Sequence, residues 1–88
     1  PIFASAKEFT INCVNSSKNE FSYTFNEERK TVTSSGLEAN AKFYENEIVF
    51  KLFGWLHTLN RTSGYMLASD DEKSTTQMKC ALVTKRMF

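Results

Sequence analysis

His57 is the chain's single imidazole, and Cys13 and Cys80 are its two cysteines. These are the side chains with the most chemistry to offer. A histidine base needs a nucleophile or substrate within hydrogen-bond reach and an orienting partner. Serines and threonines are scattered along the whole chain, and no spacing ties one of them to His57. A metal site would combine His57 with Cys13 and Cys80, but there is no Cys-x-x-Cys or His-x-x-x-His spacing to hold an ion. Glu27-Glu28 and Asp70-Asp71-Glu72 could form paired carboxylates for acid–base work. They sit beside Arg29-Lys30 and Lys73, in polar stretches that read as solvated hairpin tips. The reading is a non-enzymatic protein, without metal or cofactor, whose histidine is a structural or surface residue.

The aromatic residues carry more information. Phe21, Tyr23 and Phe25 alternate with Ser22 and Thr24, so their rings share one strand face. Such a face could stack nucleobases, as in oligonucleotide-binding barrels. A half-buried antiparallel strand turns its apolar face inward, which makes a core the better reading. The net charge of +1 gives no basic excess, and no nucleic-acid partner is expected. Phe53-Gly54-Trp55 differs, because its aromatics flank a break. With Arg61 and Tyr65 on the next hairpin, Phe53 and Trp55 form the expected binding patch, since Trp, Tyr and Arg concentrate at interface hot spots. The end of the chain (Lys79, Lys85, Arg86, Met87 and Phe88) is mildly basic and apolar. It allows a peripheral membrane contact. No apolar run reaches the roughly 18 residues of a membrane-spanning helix, so no transmembrane segment is expected.

The elements that must position these residues are strands. The chain's 88 residues, 41% of them hydrophobic, suffice for one domain with one core. Phe9, Ile11 and Cys13 alternate with polar neighbours, as do Phe21 to Phe25 and Ala39, Ala41 and Phe43. Lys30 to Thr33 is β-branched and reads as the return arm of a hairpin. Thr75 to Thr84 reads as the last strand, with Met78, Cys80 and Leu82 on one face. The segment Ile48 to Leu56 admits two readings. As a helix it carries Ile48, Leu52, Trp55, Leu56 and Leu59 on one stripe. As strands it breaks at Gly54, and its β-branched and aromatic content favours this second form. In Leu59 to Met66, Gly64 takes the positive-φ position after a type I turn. The fold class is therefore all-β: an antiparallel meander of about eight short strands forming a small barrel or sandwich, since no helical crossovers are available for a parallel sheet.

Two features bear on the compartment. Ala4-Ser5-Ala6 has the form of a signal-peptidase site and Pro1-Ile2-Phe3 that of the end of an apolar leader. Residues 1–6 are expected to be residual leader or flexible N-terminus, and 7–88 a single β domain. Two cysteines alone would also suit a reduced cytosolic protein. Together with a leader, they point to one bridge, Cys13 to Cys80, stapling the first strand to the last or nearly last. The expected location is secreted or periplasmic.

At Asn60-Arg61-Thr62-Ser63-Gly64 the chain resembles small exported bacterial all-β proteins that carry an Asn/Asp-Arg-x-Thr-Gly hairpin, with Thr62-Ser63-Gly64 here in place of x-Thr-Gly. An early and a late cysteine and a Phe-x-Tyr/Phe-x-Phe strand usually accompany that hairpin, as Cys13, Cys80 and Phe21 to Phe25 do here. Many such proteins have no assigned activity, so the resemblance implies export and an all-β fold. Ser63-Gly64-Tyr65 is also similar, at shorter spacing, to a loop of periplasmic C-type lysozyme inhibitors. The leading expectation is an exported protein that binds another protein: an envelope component, a host protein or a secreted enzyme that it inhibits. The alternative is a small barrel carrying a small apolar ligand. An apolar cavity above about 300 Å³ would favour the carrier, and a filled interior the protein binder.

Overall fold

The computed structural model describes residues 8–70 and 74–83. The expected leader at 1–6, the turn residues Asp71, Glu72 and Lys73, and the basic end Lys85 to Phe88 lie outside the described residues. Eight strands follow one another: β1 (Glu8–Asn15), β2 (Glu20–Asn26), β3 (Thr31–Ser34), β4 (Leu37–Phe43), β5 (Glu47–Leu52), β6 (Trp55–Asn60), β7 (Tyr65–Ser69) and β8 (Thr75–Leu82). Each pairs antiparallel with the next, and β8 returns to pair with β1. The all-β meander is thus a closed barrel rather than a sandwich. Every strand thus has a hydrogen-bonded neighbour on each side among the described residues. The segment read two ways in the sequence is two strands, β5 and β6, joined at Phe53-Gly54.

Odd-numbered strands run toward what is here called the upper end, even-numbered strands toward the lower. Alternation decides what fills the interior. Phe9, Ile11 and Cys13 of β1 are buried, as are Tyr23 and Phe25 of β2, Ile48, Phe50 and Leu52 of β5, and Leu59 of β6. Val32, Ala41, Met66, Ala68 and Met78 complete the inward set. Outward positions are mostly polar, such as Asn12, Ser22, Thr33, Lys42, Lys51 and Gln77. That pattern reverses a lipid-embedded barrel. Among the described residues no helix is long and apolar enough to cross a membrane.

The lower half is packed with rings. Phe9 stacks on Phe25 at 5.2 Å between centroids, and Phe25 meets Phe50 and Phe43 edge-on at 5.5 and 6.2 Å. Arg61, at the lower end of β6, closes that half. Its Nη1 donates to the Tyr44 carbonyl (2.8 Å), and its Nη2 lies 3.8 Å from the Glu27 carboxylate. Its backbone N–H donates to Asn46. One residue therefore ties the β2–β3 and β4–β5 connections to its own.

The hairpins are set by local chemistry. Asn60 Oδ1 accepts from the N–H groups of Thr62 and Ser63, both at 2.9 Å. Gly64 then takes φ of +84°, as its place after the turn predicts. A side chain there would also meet the Cys80 carbonyl oxygen at 3.0 Å, so only glycine fits on both counts. Ser35-Gly36 and Phe53-Gly54 are two-residue connections with positive φ at both positions, the type I′ geometry whose twist matches the strands.

Cys13 and Cys80 face each other across β1 and β8 and form a disulfide, as expected, at a sequence separation of 67. In the chain-entropy account, a loop of that size is worth about 4 kcal/mol. The double variant Cys13→Ala/Cys80→Ala should lose about that much in urea denaturation. Adding reductant to the native chain should produce the same loss, and should leave the variant's midpoint unchanged.

Candidate functional site

The upper half of the barrel is not filled. A cavity of about 380 Å³ opens at that end. Its buried wall is Tyr23, Leu52, His57, Ala68 and Met78, and its rim is Asn15, Phe21, Phe53, Trp55 and Thr76. The physical cause is the choice of inward side chains. Where the lower layers carry Phe9, Phe25, Phe43 and Phe50, the upper layers carry Asn15, Ala68 and Thr76, which are too short to reach the barrel axis. Barrels of eight strands are wide enough either to be filled by side chains or to hold one small ligand. Here one end is filled and the other is open.

Phe53 and Trp55 lie together on the rim, as their spacing around Gly54 suggests. The other two residues of the expected patch are elsewhere. Arg61 ends β6 at the opposite pole, about 20 Å along the strand from Trp55 at roughly 3.3 Å per residue. It is 4% exposed and engaged with Tyr44 and Glu27. Tyr65 starts β7 at that same end and points outward, opposite Lys79. The four residues do not form one surface. The reason is strand length: β6 runs the height of the barrel between Trp55 and Arg61.

Phe53 is held at a cost. It is 55% exposed with φ of +57°, the left-handed region that bulky side chains avoid. Asn or Gly is the ordinary occupant of this turn position. Lys18, Lys30 and Ser35 share that backbone region, but Phe53 is the aromatic residue among them and lies on the lip of the cavity.

Two residues that the sequence assigned to structure line the cavity. Tyr23, read as core, is 3% exposed. Burial raises its phenol above the ordinary value of 10.0, so it stays protonated. His57, read as structural, is 4% exposed and lies parallel on Phe50 with 4.6 Å between ring centres. Its Nδ1 is 3.0 Å from the Trp55 carbonyl. A carbonyl only accepts, so in the neutral ring Nδ1 holds the proton and Nε2 the lone pair. Desolvation lowers the His57 pKa from 6.5, partly offset by the carbonyls of Trp55 and Phe50. The imidazole is neutral at pH 7. Tyr23 meets it edge-on at 5.7 Å. An inward-facing Tyr and His on the upper halves of two strands were the available signal for this site. Alternation places them inside but does not say that the inside is hollow.

Among the described residues, no group of three or more His, Cys, Asp or Glu is placed to hold a metal ion. Comparison with protein-family models, with curated proteins and with solved structures gives no match to this chain. The small exported proteins that its hairpin resembles therefore remain a resemblance, although the all-β fold it implies and the disulfide that accompanies it are both present. What the chain can be assigned to is a class of architecture: a disulfide-closed, eight-stranded meander barrel with one open mouth.

Two outcomes follow from the site. Phe53→Asn relieves the left-handed strain and should raise stability by about 1 kcal/mol in chemical denaturation. His57 should make stability fall as the solution is acidified. Its unfolded-state pKa is the ordinary 6.5 and its folded-state value is lower, so below pH 6.5 the unfolded chain takes up the proton first. The stability difference between the native chain and His57→Gln should be constant above that pH. It should shift against the native chain as pH falls from there toward the folded-state value.

Proposed function

We propose that this protein is an exported, non-enzymatic carrier that binds a small, largely apolar molecule in the upper mouth of its barrel. The observation that carries the reading is the cavity of about 380 Å³, with an aromatic rim of Phe21, Phe53 and Trp55. Ligand pockets run from about 300 to 1,000 Å³ and are lined by apolar and aromatic side chains with a few polar groups. Export is supported by the disulfide, which suits an oxidising extracellular or periplasmic compartment. Arg61 and Tyr65, at the other pole, take no part.

A second reading keeps the leading expectation from the sequence, a protein partner such as an envelope component, a host protein or an inhibited enzyme. The exposure of Phe53 and Phe21 favours it, because a partner could seat a side chain between them.

The neutral fluorophore N-phenyl-1-naphthylamine separates the two. Trp55 is the chain's single tryptophan, so its emission reports directly on the rim. Saturable one-to-one binding with quenching of Trp55 is expected. Phe53→Ala should weaken it about tenfold, the loss of a buried aromatic contact, and Arg61→Met should leave it unchanged. Absence of saturable binding, or equal loss in Arg61→Met, would overturn the carrier reading.

A further inference from the structure

The walls of the cavity also specify its ligand, an inference that rests on the carrier reading. Three observations converge. First, the Tyr23 hydroxyl has no hydrogen-bond partner among the described residues, although its ring is buried. A purely hydrocarbon ligand would cover that hydroxyl without replacing its water, which is costly. Second, His57 beside it holds its Nδ1 proton toward the Trp55 carbonyl and keeps a lone pair on Nε2. A donor and an acceptor thus sit on one wall, on rings 5.7 Å apart. Third, none of the side chains lining the cavity carries a charge, so neither a carboxylate nor an ammonium ion would find a counter-charge.

Size and wall shape narrow the class further. A cavity of about 150 Å³ holds benzene. The volume here is about two and a half times that, enough for two fused rings. The walls and rim present ring faces and edges (Phe21, Phe53, Trp55, Tyr23), which pair with flat aromatic ligands in stacked or edge-on geometry.

We propose that the barrel mouth binds an uncharged bicyclic aromatic compound bearing one hydroxyl or ring nitrogen, which hydrogen-bonds with the Tyr23–His57 pair. The hydroxyl form donates to His57 Nε2 and accepts from Tyr23 Oη. The ring-nitrogen form accepts from Tyr23 alone. A hydroxylated ring is therefore the better fit.

Three naphthalenes of one shape test this: 2-naphthol, naphthalene and 2-naphthoate, titrated against the native protein with Trp55 emission as readout. 2-Naphthol should bind at least about tenfold more tightly than naphthalene, the ordinary value of one or two buried hydrogen bonds. 2-Naphthoate should bind more weakly than either. Tyr23→Phe, which keeps the ring, should weaken 2-naphthol and tighten naphthalene, so that the gap between the two narrows to what the His57 Nε2 contact alone supplies. Equal affinities for naphthalene and 2-naphthol, or tightest binding of the naphthoate, would overturn the proposal and leave the carrier reading standing. So would failure of all three while N-phenyl-1-naphthylamine binds. Failure of all four compounds would overturn both.

Discussion

The structure depends on a constraint of closure. Eight short antiparallel strands that curl until the last meets the first enclose an interior whose width is set by strand number and tilt, not by the side chains inside. The inward residues must then fill a space they did not choose. In the lower half they do, with Phe9, Phe43 and Phe50 all packed on Phe25 and Arg61 across the end. In the upper half they do not, because Ala68, Thr76 and Asn15 are too small. The cavity follows directly from closure combined with that distribution of side-chain size.

The two poles of the barrel divide the work. The lower pole carries stability: a ring cluster, a buried guanidinium bridging separate turns, and Gly64 pressed against the Cys80 carbonyl. The upper pole gives some of it up. It leaves volume unpacked and holds Phe53 in a backbone region that suits asparagine better.

Much of the fold was legible from period-two alternation. Phe9 to Cys13, Phe21 to Phe25 and Ala39 to Phe43 are strands with the faces the pattern assigns, and the break at Gly54 correctly divides Ile48 to Leu59 into two. Alternation is local, so it fails where the answer depends on residues far apart. It could not separate barrel from sandwich, since that turns on whether β8 reaches β1. Arg61 read as a surface contact because arginine is usually solvated. Its burial depends on a carbonyl at Tyr44 and a carboxylate at Glu27, neither of which its own hairpin reveals. Phe53 and Trp55 were recognisable as a pair set apart from the core by the break at Gly54. Tyr23 and His57 were not, because hollow and filled interiors share the same inward pattern.

The meander order has a consequence for how the barrel is made. Seven of its eight strand pairings join neighbours in sequence, so each can zip from its own turn with little chain entropy lost. The eighth, β1 with β8, brings together residues 67 apart, and with it the two cysteines. Their sulfur atoms are held next to each other only once the sheet has curled shut. The bridge therefore fixes covalently the pairing that closes the barrel, and joins the two ends of a meander whose other pairings are all local.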